Sequence, residues 1–566
     1  MQCMRAINAC IMSVLTIACG TPRALVAAPG RLALTVALSE LQGGDTARAA
    51  SLLEAIVAED PGNAPAWRAL GTAYQRAHAN QRAIGAYRRA LSIEPGSPQT
   101  FYNLGSVYAA EHHARNALAW LRRARATRRY DMTQMSVDEN LVSLLEDRRF
   151  AALLPTAREF EHPFVEEVRI IREWRGEAAN DQFGWIARNI GDVDGDGVND
   201  VVISAPTHGA RGSHAGRIYV YSTASGRLLW TADGEEGDEV GTGVEAAGDT
   251  DGDGVPDVVA GGPAGRGIAR LYSGRDGRVR YEFRSPSADE MFGNHVSGAG
   301  DVDGDGCADV IVGSPGKEGE AKTPGHAYVY SGKTGKLLLA LTGERPGDQF
   351  GSTVAGYRRG DEQYLMVGAP RAGQRQHGRV YVYRDASGKA AFTIDSDDTG
   401  SALGAMFVSI PGDLDGDGVS DVYASDWSNG ALGFSTGRIY VHSGRTGQRL
   451  LTLTGESAGD GFGTSPSVAG DVDHDGRADL IIAAWQYGKA AVAGGRAYLY
   501  SGRDGRLLRT YTCSIPGETF GFDAVGLGDV DADGTVDLLI TSGWSGVRGH
   551  HSGRAFVIST GVRAAP

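Results

Sequence analysis

The chain has 566 residues, too many for one ordinary domain, and 82 of them are Gly. Its 55 basic and 69 acidic residues give a net charge of −14, which excludes a basic phosphate-reading face as its main feature. Neither excess is even. Residues 1–160 hold 9 Gly and carry +5, whereas residues 161–566 hold the other 73 Gly and carry −19. Two unlike parts therefore meet near residue 160.

Arg5 precedes a short apolar run, Ile11 to Ala18, too short to span a bilayer but suited to secretion. Residues 1–28 are expected to be a signal peptide, with two alternatives for its end. Cleavage after Ala28 fits the small residues Val26, Ala27 and Ala28. Alternatively, Leu15 to Gly20 resembles a bacterial lipobox with Cys19 lipidated, although Thr16 departs from the usual pattern. Membrane attachment is expected only through that anchor. Three of the five cysteines lie in this segment, and Cys307 and Cys513 fall in different repeats, so no disulfide is expected.

Residues 30–160 show a 34-residue period. Trp67, Leu70, Gly71, Tyr74, Ala83, Tyr87 and Ala90 return as Phe101, Leu104, Gly105, Tyr108, Ala117, Leu121 and Ala124. The pattern resembles the tetratricopeptide repeat, in which helical hairpins stack into a solenoid that binds other proteins. A weaker copy fits Ala49, Leu53 and Pro61, and Val137 to Leu154 is expected to cap the stack. The Arg-rich run at Arg122, Arg123, Arg125, Arg128 and Arg129 reads either as a docking patch or as a solvated helix face.

Residues 163–566 have a longer period. Runs of the form D-x-D-x-D-G-x-x-D start at Asp192, Asp249, Asp301, Asp413, Asp471 and Asp529. Their starts differ by 57, 52, 112, 58 and 58, so one copy near residue 360 lacks its loop. Around each loop come a Phe-Gly pair, two apolar strands, a third strand with alternating aromatics, a Ser-Gly-x-x-Gly turn and a fourth strand. Four short strands per repeat and Gly-rich turns predict a propeller blade, repeated seven times. The Phe-Gly starts and the Gly368-Ala369-Pro370 run resemble the FG-GAP repeat, which forms the seven-bladed propeller of integrin α-subunits and of bacterial surface proteins. The last repeat ends after its third strand, and residues 168–174 are expected to supply the missing fourth strand of blade seven. The fold expected is thus multidomain α plus all-β: a short helical solenoid followed by a seven-bladed β-propeller.

Alternating carboxylates before a Gly place oxygens on one side of a tight loop, and a fourth carboxylate closes the shell. Hard cations taking six to eight oxygens, above all Ca²⁺, suit this pattern. The expected ligands of blade one are Asp192, Asp194, Asp196, the carbonyl of Val198, and Asp200. Those of the next two loops are Asp249, Asp251, Asp253 and Asp257, then Asp301, Asp303, Asp305 and Asp309. The remaining sets are Asp413, Asp415, Asp417 and Asp421; Asp471, Asp473, Asp475 and Asp479; and Asp529, Asp531, Asp533 and Asp537. The loops end in strands, which excludes an EF-hand. Bound ions are expected to be structural, and no catalytic residue is expected.

On the opposite face, Trp427, Trp485 and Trp544 follow the second strands of blades five to seven. They read either as a ligand-binding patch for a glycan or peptide or as caps over neighbouring loops. No nucleophile, phosphate-loop or zinc motif stands out. The reading that follows is an exported, Ca²⁺-binding interaction, adhesion or scaffold protein with a protein or glycan partner and no nucleic acid. The alternative is an envelope enzyme, or a subunit of one, acting on polysaccharide or lipid.

Overall fold

The computed structural model describes residues 44–562 except 266, 286–290, 318–321 and 374, together with 34, 36–38, 40 and 41. The signal peptide and the lipobox cysteine expected within residues 1–28 lie outside the described residues. The chain divides into two compact units, Met1–Glu161 and His162–Pro566.

The first unit is helical. Its main helices are α1 (Thr46–Glu59), α2 (Ala64–Arg76), α3 (Asn80–Ile93), α4 (Pro98–Ala110) and α5 (Ala114–Ala126). Side-chain caps start three of them: Asp45, Asn63 and Ser97 accept the amides of Arg48, Ala66 and Thr100. Such caps satisfy amides that the first turn leaves unpaired. The small residues of the 34-residue pattern explain the pairing of helices. A Cβ on Gly71 would lie 2.4 Å from the Tyr87 ring, and one on Gly105 would lie 2.7 Å from Leu121. α2 therefore nests on α3, and α4 on α5, by the same device one period apart.

The stretch Val137 to Leu154 joins the core of the helical stack through Leu141, Leu144, Phe150 and Leu153. It breaks into a 3₁₀ turn (Glu139–Leu144) and a single α-turn (Arg148–Ala151). The cause is local: Asp138 and Asp147 accept the amides of Asn140 and Arg149, restarting the backbone each time. In the Arg-rich run, Arg125 pairs with Glu159 at 2.5 Å, and the Arg123 guanidinium lies over the rings of Phe101 and Trp120. Arg122, Arg128 and Arg129 face solvent.

The second unit is a seven-bladed propeller of four-stranded antiparallel sheets. Blade one is typical, with strands Ala187–Gly191, Asp200–Ala205, Arg217–Tyr221 and Leu228–Asp233. The second strand is buried throughout, whereas the fourth is partly exposed along its length. The Phe-Gly pairs set the spacing between blades. Phe292 and Phe350 are buried, and Gly293 and Gly351 have φ of +83° and +92°. A Cβ on Gly293 would come within 2.0 Å of the Ile268 carbonyl of the preceding blade. Only Gly combines that backbone conformation with that approach.

The ring closes with a strand from the start of the unit. Ile170–Arg175 pairs antiparallel with the last strand, Arg554–Ser559. The closing strand begins two residues later than Val168, because the chain before it is held by blade six: the Val165 amide donates to the Thr512 carbonyl at 2.9 Å, and Glu166 accepts the Thr512 amide. The seam also holds an ion pair with no solvent exposure, Arg554 with Glu518, and Arg554 reaches Glu173 at 3.3 Å.

Blade four replaces its acidic loop with a tight hairpin. Its first two strands, Val354–Arg359 and Glu362–Ala369, pair out to Arg359 opposite Glu362, leaving Gly360 and Asp361 as the turn. The Arg-Gly-Asp run is thus a β-turn, with Gly360 at φ +58°.

Candidate metal centres

Each acidic loop joins the first strand of a blade to the second, and its ninth residue begins the second strand. Burial of that strand carries the ninth Asp inside: Asp200, Asp309, Asp421, Asp479 and Asp537 are fully buried. Two backbone segments hold it. One carboxylate oxygen accepts the amide of the loop's second residue, as Asp200 does from Val193 at 2.9 Å and Asp421 from Leu414 at 2.8 Å. The other accepts an amide from the turn between strands three and four, such as Gly332 to Asp309 at 3.1 Å or Gly502 to Asp479 at 3.0 Å. The ninth Asp therefore staples the two turns on this end of the blade. Spacing alone assigned it a ligand role and missed this structural one.

Blade seven lacks that second turn, because its fourth strand comes from the other end of the unit. Oδ1 of Asp537 is accordingly buried without a hydrogen-bond partner. The electrostatics follow. Burial, with the neighbouring loop carboxylates adding to it, pushes Asp200, Asp309, Asp421 and Asp479 up to about 6. Asp537, missing one donor, is pushed up to about 7. A buried carboxylate beside other carboxylates resists ionising unless a cation joins it.

The first, third and ninth carboxylates converge. In Asp192/Asp194/Asp200, Asp249/Asp251/Asp257, Asp301/Asp303/Asp309 and Asp413/Asp415/Asp421, one oxygen from each residue lies within 4.8 Å of the others. The fifth carboxylate does not join these triplets. Asp196, Asp253, Asp305, Asp417, Asp475 and Asp533 each accept the amide two residues on, folding back on their own loop. In blade one that donor is the Val198 amide, at 2.9 Å. The donor set fits a hard cation: all oxygen, mostly carboxylate, and partly unsatisfied. Oδ1 of Asp473 and of Asp531, both third-position residues, are also buried without partners.

Arginines border the loops unequally. Arg169 reaches Asp531 and Asp533, Arg445 reaches Asp417, Arg506 reaches Asp473, and Arg358 of blade four's hairpin lies 3.5 Å from Asp301. Among the described residues, no cationic side chain pairs with the blade-one loop.

The three tryptophans of the opposite face are unequally buried. Trp427 is 0% exposed and Trp485 3%. Trp485 packs edge-on against Phe522 and Trp544, and Trp544 stacks on His551. A stacking platform needs open ring faces, which the buried Trp427 and Trp485 do not offer; Trp544 is half-buried. The inner strands line a cavity of about 290 Å³ of mixed polar and apolar character. There Arg188 of blade one bonds Glu245 of blade two at 2.7 Å and Asp523 of blade seven. Burial pushes His295 in this cavity down to about 3.

The geometry defines a seven-bladed propeller, six of whose repeats carry acidic loops on one face. FG-GAP repeat models match residues 183–221 and 292–330, and an FG-GAP-like repeat matches 413–482. Among similar proteins, Integrin alpha-4 of Xenopus laevis is 28% identical over 251 residues, 41% of this chain and 23% of that protein. Integrin alpha-PS3 of Drosophila melanogaster is 33% identical over 161 residues, 26% of this chain and 14% of its own length. The propeller is thus built of FG-GAP repeats and has integrin α chains among its homologues, while the chain spans less than a quarter of the length of these curated relatives. Among the described residues, no helix is long and apolar enough to cross a membrane.

Proposed function

We propose that the chain is an exported interaction protein whose propeller is held rigid by Ca²⁺. The observation that carries this reading is the repeated convergence of first, third and ninth carboxylates around a buried Asp, with oxygens of Asp473, Asp531 and Asp537 buried without a partner. In each loop the ligands would be the first, third, fifth and ninth Asp with the seventh carbonyl: Asp192, Asp194, Asp196, Val198 and Asp200 in blade one, and the corresponding residues elsewhere. The ion would supply charge neutralisation and crosslinking, with no open position for chemistry. Affinity on the order of 10⁻⁴ to 10⁻³ M is typical of extracellular calcium modules.

The helical unit is read as a tetratricopeptide-type solenoid that docks a protein partner, and the propeller as an adhesion or scaffold surface for protein or glycan. Both assignments argue from fold to function by analogy. The apolar run before Cys19 supports export, with lipidation at Cys19 and cleavage after Ala28 as the two forms. The test is affinity capture from envelope extracts with and without calcium, alongside a glycan array and a hydrolase screen on the full chain. Calcium-dependent capture of a defined protein or glycan is expected. Turnover abolished by a propeller substitution would overturn the non-enzymatic reading.

A further inference from the structure

The six acidic loops are not equivalent, and the difference lies at two positions outside the carboxylates. The first is a β-bulge that opens the fourth strand of six blades. In blade three Tyr330 pairs with Leu337 and Val329 with Leu339, leaving Leu338 as the extra residue. The same shift leaves Leu229, Leu450, Leu508 and, on the closing strand, Ile171. In blade two it leaves Arg280. A bulge re-aims the extra side chain. The second position is the loop's second residue. It is aliphatic in five loops (Val193, Val302, Leu414, Val472, Val530) and is Thr250 in blade two. The aliphatic members share cores: Val530 with Ile171, Val302 with Leu338, and Leu414 with Leu450.

Blade two thus exchanges an apolar pair for a polar one, and the pair is bonded. Arg280 is mostly buried, with 16% of its side chain exposed, and its Nη1 donates to Asp257 at 2.9 Å. Its Nε lies 3.3 Å from Asp251, and it also donates to the Thr250 hydroxyl. That hydroxyl in turn donates to Asp257. Among the described residues, every other ninth-position Asp of a loop is held by backbone amides alone. The remaining arginines near the loops reach only first, third or fifth carboxylates; Arg169, Arg275, Arg445, Arg503 and Arg506 do so from the surface, each more than half exposed.

We propose that blade two carries its own counter-ion: the Arg280 guanidinium takes the place of the divalent cation, so the propeller binds five calcium ions and not six. The inference rests on the calcium reading above. A guanidinium bonded to the third and ninth carboxylates occupies two of the ligands an ion requires, and it would repel a second cation brought among the same oxygens.

Native mass spectrometry of the calcium-saturated full chain counts the ions. The wild type is expected to hold five, and Thr250→Val with Arg280→Leu, which installs the apolar pair of the other blades, six. The reciprocal change in blade three, Val302→Thr with Leu338→Arg, is expected to reduce five to four, and it serves if the first variant does not fold. Hydrogen exchange in chelator is expected to leave amides 249–257 protected while those of 192–200 open. Six ions in the wild type, unchanged in the blade-two variant, would overturn this inference and leave the calcium reading standing. No ion in any protein would overturn both.

Discussion

The two units build their interiors by opposite means. The helical unit fits small against large: Gly71 admits Tyr87, Gly105 admits Leu121, and its core is almost wholly apolar. The propeller buries a carboxylate at the head of the second strand in six blades and in five of them makes it the joint between two turns. An apolar core is indifferent to ions, whereas a buried carboxylate beside other carboxylates ties stability to whatever cation is at hand. On the calcium reading proposed above, similar burial leaves one unit self-sufficient and the other conditional on its surroundings.

The comparison breaks if chelation melts both units alike. Each occupied site adds about 2.7 kcal/mol when free calcium is a hundredfold above the dissociation constant. Calorimetry in chelator is therefore expected to lower the propeller transition by the summed effect of its sites and to leave the helical transition within a degree or two. Next in size is the seam. Arg554→Leu strands Glu518 in a fully buried position, and breaking such a pair costs about 3–5 kcal/mol. Denaturant melts should show this loss in the propeller alone. The reverse selectivity is expected for Gly105→Val, which forces a side chain into Leu121. Overpacking of this kind costs about 1–3 kcal/mol, and only the helical transition should fall.

The pH dependence is the most diagnostic, because its sign changes. Asp200, Asp309, Asp421 and Asp479 sit near 6 and Asp537 near 7 in the folded state, above the ordinary carboxylate range. In chelator the folded propeller holds protons that the unfolded chain has released. The contribution of these five carboxylates to stability is then fully present below about pH 4 and is lost as pH rises through 6 to 7. With calcium present, protons and ions compete for the same oxygens, so stability should rise over that interval. Melting curves at pH 5 and 7.5, in chelator and in calcium, check both slopes. Equal slopes would mean that the loops do not bind the ion.

Much of this was legible in the chain. The 34-residue recurrence, the spacing of the Asp runs, the missing loop near residue 360 and the orphan strand before blade one all reflect local pattern, and the seven-bladed ring follows from them. Depth was not legible. Trp427 and Trp485 lie in connections, where sequence position suggests exposure, yet those connections fold inward and the rings become packing. The stapling role of the ninth Asp was also hidden, since its partners lie in a turn 23 residues further on. The Arg280 exchange was visible in principle, because aligning the six bulged positions leaves one charged residue among aliphatic ones. It acquires meaning only once the bulge is seen to turn that residue toward the loop.

The closing strand has a consequence in time. Glu173 and Arg554 are 381 residues apart in the chain yet touch across the seam. At about 5–20 residues per second of synthesis, the first strand waits on the order of tens of seconds for its partner to exist. Contacts at this separation are also the slowest for a chain to find. Throughout that interval Ile170–Arg175 is an unpaired edge, open to the equivalent segment of another copy. Production of this protein at high concentration should therefore be limited by what shields those six residues at the start of the propeller until the last blade emerges.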